Sequence, residues 1–134
     1  MLGLALHWIW PISISTGYLW VRLPVGGHLL FFAGTMAIQT FWMMRRQGTP
    51  IDFNKPATAI ITGGPFRFTR NPLYLSLLML YAGIAILVNS LWLLPFLIGM
   101  LALFNGIAKR EEEYLEEAFG EDYIDYRKRV RRWL

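Results

Sequence analysis

Cysteine is absent from the chain, so no disulfide framework, thiolate metal site or cysteine nucleophile is available to it. Acidic residues are scarce until late: only Asp52 precedes Glu111. A small proton-coupled transporter needs an ionisable carboxyl within a membrane span, and no apolar stretch here carries one. No cluster of His, Asp or Glu has metal-ligand spacing, so no metal site is expected. No glycine-rich phosphate loop follows a strand, and there is no internal repeat, low-complexity tract or second domain.

What the chain does have is oil. Its 134 residues are 55% hydrophobic and 16% aromatic, with only 16% charged and a net charge of +4. That balance is too apolar for a soluble domain of this size and places the chain among multi-pass integral membrane proteins. Runs of roughly 20 apolar residues are needed to cross about 30 Å of hydrocarbon. Four such stretches are expected, at about residues 2–21, 27–44, 73–88 and 91–108, with Asn89 and Ser90 turning between the last two. The first is interrupted by Pro11, Ser13, Ser15, Thr16 and Gly17, but has neither a basic leader nor a small-residue cleavage site, and is read as a retained span. The predicted architecture is therefore all-α, a single membrane domain over 1–134 with a loop at 45–72 and a charged tail at 109–134. In the tail Leu115, Phe119, Tyr123, Tyr126, Val130 and Trp133 recur every three or four positions, which predicts an amphipathic interfacial helix interrupted at Gly120.

Basic residues set the orientation, because Lys and Arg collect in short cytoplasmic segments. Arg45, Arg46, Lys55, Arg67 and Arg70 fall in the middle loop and the tail carries the rest, against a lone Arg22 on the other side. Loop and tail are accordingly expected on the cytoplasmic face. These basic residues read as topogenic, not as a nucleic-acid surface. His7 and His28 stand singly and away from this end, and Met36, Met43, Met44, Met79 and Met100 are expected to be packing residues. Small residues at Gly34, Ala37, Gly83, Ala85, Gly99 and Ala102 are expected to let helices approach closely.

One stretch carries more polarity than a connection needs: "GGPFRFTRNPLYLSLL", Gly63 to Leu78. Asn71-Pro72 has a structural reading as N-cap and first helical residue, and Arg67 and Arg70 have one as anchors snorkelling to lipid phosphates. Two membrane-length helices then return the chain to the same face at "KREEEYL", bringing Glu111, Glu112 and Glu113 beside Arg70 and Asn71. Either the glutamates open a separate tail helix and pair with nearby bases, or the convergence serves a ligand bearing both signs of charge. S-adenosylmethionine is such a ligand, its carboxylate suited to an Arg fork and its ammonium and ribose hydroxyls to Glu.

The order of these motifs resembles a known superfamily. "TGGPFRFTRNPLYL" followed by "REEEYLEEAFGEDYIDYRKRVRRWL" is similar to the isoprenylcysteine carboxyl methyltransferase and phospholipid methyltransferase superfamily of integral membrane enzymes, over Thr49 to Trp133. The resemblance implies S-adenosylmethionine as cofactor, S-adenosylhomocysteine as product, and transfer to an apolar or amphiphilic acceptor such as a prenylcysteine-like carboxylate or a lipid headgroup. It places Gly64, Pro65, Phe66, Arg70, Asn71, Tyr74, Glu111 and Glu112 around the cofactor, with Arg70, Asn71 and Glu112 carrying catalysis. It departs from many relatives at Asn71, where eukaryotic prenylcysteine enzymes have His, and at Phe66, where many have Tyr. The basic tail, Arg127, Lys128, Arg129, Arg131 and Arg132, is expected on anionic lipid, either closing the site or acting as an anchor alone. A non-catalytic scaffold, a small transporter and a reductase-like relative binding NADPH are the alternatives. The acceptor atom and the oligomeric state stay open.

Overall fold

The computed structural model describes residues 2–14, 19–48 and 59–134. Among them every regular element is helical: α1 (Leu2–Ile9), α2 (Leu19–Arg46), a single 3₁₀ turn (Gly64–Arg67), α3 (Pro72–Val88), a second 3₁₀ turn (Leu91–Leu93), α4 (Leu94–Phe119) and α5 (Glu121–Arg129).

Two helical segments, Leu19–Arg46 and Leu91–Phe119, are long and apolar enough to cross a membrane. The 17 residues of α3 rise about 26 Å, a little less than the hydrocarbon thickness. The expected span at 2–21 is not one helix. α1 has eight residues, about 12 Å, and stops just before Trp10-Pro11. Proline has no N–H to continue the ladder and pushes the residue before it out of the helical region. Residues 19–21 belong to the first turn of α2, and 15–18 lie outside the described residues. The segment after α1 turns instead onto the start of the last hairpin helix, where Leu91 N–H donates to the Ile12 carbonyl at 2.9 Å and Trp92 Nε1 donates to the Trp10 carbonyl at 2.7 Å. Four spans thus reduce to two long helices, a shorter third and a short N-terminal helix.

α2 and α3 form the tightly packed pair. Their crossing is set by glycine: a Cβ at Gly26 would stand 2.6 Å from Leu87 Cγ and 3.1 Å from the Gly83 carbonyl, and one at Gly83 would stand 2.9 Å from Leu30 Cδ2. Gly83 and the buried Ala85 therefore do what small residues were expected to do. Gly34 and Gly99 do not, since nothing lies within 4 Å of a Cβ built on either.

The second departure concerns the tail. No separate helix begins at Lys109; α4 runs unbroken for 26 residues to Phe119, about 39 Å. Lys, Arg and Glu are good helix formers and no turn residue intervenes, so the helix continues past its apolar part. Glu111 and Glu112 are consequently carried on the end of the long helix. The break comes at Gly120, whose φ of 53° and ψ of −127° suit glycine alone. After α5 the last residues, 130–134, cross back over the start of α3.

Candidate functional site

The charged end is assembled from four segments. The first is the loop before α3. Its Gly63 and Gly64 press on Met43 at the end of α2, where a Cβ on Gly64 would come 2.5 Å from the sulfur. Gly64 itself has φ +53°, the left-handed region glycine tolerates. Pro65 is buried, and the Phe66 carbonyl accepts a 2.7 Å hydrogen bond from Tyr126 Oη, tying α5 to the loop.

The second and third segments are the start of α3 and the end of α4. Tyr74 Oη donates to Glu111 Oε1 at 2.6 Å, and its ring stacks on Phe104 one helix away, centroids 5.0 Å apart. Arg70 reaches Glu112 at 3.3 Å, both side chains more than nine-tenths buried. Glu113 points outward and joins nothing in this cluster.

The fourth is the C-terminal strap. The Arg131 carbonyl accepts from Arg70 N–H at 3.0 Å. The Arg132 carbonyl accepts from Thr69 Oγ1 at 2.7 Å and Asn71 Nδ2 at 3.2 Å. The Arg132 guanidinium closes on both oxygens of Glu112, at 2.8 and 2.9 Å, and donates to Asn105 Oδ1 at 3.2 Å. Asn71 therefore does not cap α3 with its side chain; that amide is spent on the strap, and the helix starts with Asn71 O accepting from Leu75 N–H beside Pro72. Arg132, expected on lipid with its basic neighbours, is turned inward.

Two guanidiniums thus pair with Glu112, and buried ion pairs hold only when their remaining bonds are met. Arg70 is not so satisfied: its Nε and Nη1 are buried without a hydrogen-bond partner among the described residues. Tyr123, also buried, has its phenol pushed up to about 12, first by burial and then by the Glu112 charge, with Arg70 acting the other way. Its hydroxyl is close enough to feel Arg70 but meets no partner in good geometry. Buried cationic donors without an acceptor can bond an anion.

Arg70, Asn71, Tyr74, Glu111 and Glu112 are brought together, while Gly64 packs on Met43 of α2, Pro65 is buried and the Phe66 carbonyl holds α5. Thr69, Asn105 and Arg132 enter unforeseen. For Asn105 the signal was present, a polar amide in an apolar run; Arg132 lies in the "VRRWL" end of the motif that carries the resemblance, but nothing there marks it as the base that turns inward.

Residues 21–122 match the description "Phospholipid methyltransferase", well over half the chain. The chain belongs to the phospholipid methyltransferase family. Membership implies a membrane methyltransferase acting on lipid-like substrates. An uncharacterized protein of Haemophilus influenzae is 46% identical over 63 residues, 46% of this chain and 100% of that protein. No solved structure matches the chain. The family match covers Arg70 to Glu112 and stops short of the strap that completes the cluster.

Proposed function

We propose that this phospholipid methyltransferase family member transfers the methyl group of S-adenosylmethionine to an apolar or amphiphilic acceptor at the membrane surface, a lipid headgroup or a prenylcysteine-like carboxylate. The observation that carries the reading is Arg70, buried with two donors lacking an acceptor, at the charged end of a membrane hairpin. Nε and Nη1 lie on different edges of the Arg70 guanidinium, and each offers a carboxylate oxygen one charge-assisted bond.

The donor set fits the cofactor, with one change from the sequence expectation. Arg70 would hold its carboxylate. Glu112, already held by two guanidiniums, keeps Arg70 in place, and an ammonium there would compete with both. That task falls to Glu111, fixed by Tyr74, for the ammonium or ribose hydroxyls. Asn71 contributes by fixing the strap, and Gly64, Pro65 and Phe66 would floor the pocket. When bound, S-adenosylmethionine would supply a sulfonium methyl for transfer to an acceptor lone pair, the C–S bond breaking with its electron pair on sulfur and S-adenosylhomocysteine leaving. Positioning and exclusion of water are the protein's share, and alignment of that kind is worth on the order of 7–11 kcal/mol. The charged end on the cytoplasmic face, with several passes through the bilayer, would meet soluble cofactor on one side and acceptor from the other.

The test is ligand-induced stabilisation of the full chain in detergent with S-adenosylhomocysteine and, separately, NADPH. Stabilisation by the first alone, lost several-fold or more in affinity in Arg70→Ala, supports the reading. Preference for NADPH points to the reductase-like alternative, and no binding of either to the scaffold.

A further inference from the structure

Asn105 is anomalous where it stands. It interrupts the apolar face of α4 one turn, about 6 Å, before the first charge at Lys109, so it sits at the boundary between hydrocarbon and headgroups. A carboxamide at that depth is costly unless its bonds are made. Half of them are. Arg132 Nη1 donates to its Oδ1, which fixes which way the amide faces. The opposite edge, Nδ2 with its two N–H donors, bonds to no described residue, and the side chain is half-buried. On the same face one and two turns deeper, Leu101 and Ile98 are exposed, 47% and 68%. A donor stands above an apolar track, with the ion cluster of Glu112 two turns above the donor.

We propose that Asn105 is the specificity-determining residue for the acceptor: its Nδ2 donates to an oxygen in the polar end of an amphiphile whose hydrocarbon lies along Leu101 and Ile98. The oxygen belongs to a carboxylate, ester or phosphate. The inference rests on the methyltransferase reading for calling that amphiphile the acceptor. Arg132 is a positioning residue for Asn105, so the strap aligns the anion seat at Arg70 and the acceptor grip together.

The experiment titrates the full chain in detergent with two probes, N-acetyl-farnesylcysteine, which offers a carboxylate, and a short-chain phosphatidylethanolamine, which offers ester and phosphate oxygens. Affinity is measured for the parent, Asn105→Asp and Asn105→Leu, alongside S-adenosylhomocysteine. Asn105→Asp keeps the acceptor that Arg132 needs and loses the donor; Asn105→Leu loses the donor without adding charge. Binding of at least one probe to the parent, weakened in both variants about threefold to tenfold where an ester oxygen accepts and about tenfold or more where a carboxylate or phosphate does, with S-adenosylhomocysteine affinity within twofold, is the expected result, the loss of one hydrogen bond to a neutral or charged oxygen. Which probe binds names the oxygen. Undiminished probe binding in either folded variant, or no probe binding to the parent, overturns the proposal. If the parent fails to bind S-adenosylhomocysteine yet loses probe affinity in both variants, the amphiphile site stands and the methyltransferase reading falls.

Discussion

Arg132 grips the Glu112 carboxylate with two prongs, at 2.8 and 2.9 Å, from a strap twenty residues further along the chain, while Arg70 approaches the same carboxylate at 3.3 Å from the start of α3. One buried anion therefore joins the end of α4, the loop before α3 and the C-terminal strap. The α3–α4 hairpin brings the first two together; the strap locks them.

Arg132→Ala should cost about 2–3 kcal/mol, the loss of charge-assisted hydrogen bonds to a buried group. Arg132→Lys should recover only part of it, because an ammonium cannot reproduce the fork. Glu112→Gln should cost more, about 3–5 kcal/mol, since it strands a buried Arg70 and a partly buried Arg132 without their counter-ion. Unfolding in mixed micelles of the ligand-free protein measures all three. A parent-like Glu112→Gln would mean that the carboxylate is reserved for a ligand after all.

Gly120 is the joint on which this lock depends. Its backbone conformation is one that side-chain-bearing residues essentially never take, and nothing lies within 4 Å of a built Cβ, so any cost of Gly120→Ala is conformational and not a clash. About 1–3 kcal/mol is expected, with α5 and the strap displaced. The displacement should appear as faster amide exchange at 123–132 with α2 and α3 unchanged. Equal exchange would show that α5 docks without help from the bend.

The hairpin geometry carries over to the membrane as a topology. Arg67 and Lys128 are both exposed at the charged end, and the chain has no native cysteine to confuse a labelling experiment. Arg67→Cys and Lys128→Cys should both react with an impermeant maleimide in inside-out vesicles and be protected in intact cells, if the basic residues orient the protein as they usually do. Reaction from opposite sides would break the hairpin; reaction of both from outside would keep it and invert the orientation.

Much of this end was legible because the signals were long or paired. The hairpin at 73–108 follows from two apolar runs and an Asn-Ser turn, and Asn89 indeed ends α3 at φ 55°. The meeting of Arg70 with Glu112 follows from parity alone. At the first span the interruption at Pro11 was legible, but not where the chain goes after it, onto Leu91 and Trp92. The tail was misjudged because charge marks where the hydrocarbon ends, and a helix of Lys, Arg and Glu has no reason to end there. Arg132 was invisible for a different reason: five bases in six positions all look like a solvated face, and only three-dimensional closure singles out the one that turns inward.

Asn71 separates local from tertiary chemistry most sharply. As a helix cap, Asn is interchangeable with Asp, and an added negative charge at a helix start is mildly favourable. As a donor to the Arg132 carbonyl, it is not interchangeable, because a carboxylate has no N–H to give. Asn71→Asp would set an anion against that carbonyl oxygen in a buried position, where an unmet acceptor costs about 1–3 kcal/mol. The Arg70 charge nearby would offset part of this, so the expected loss is about 1–2 kcal/mol. Asn71→Ser, equally good as a cap, should lose a similar amount for want of reach. Both variants should keep α3 itself, whose start rests on Pro72 and the Asn71 backbone, so helical circular dichroism stays at the parent's level while the strap loosens. Stability equal to the parent in both would return Asn71 to the role of a cap and leave the strap to Thr69, the Arg70 N–H and the Arg132–Glu112 fork.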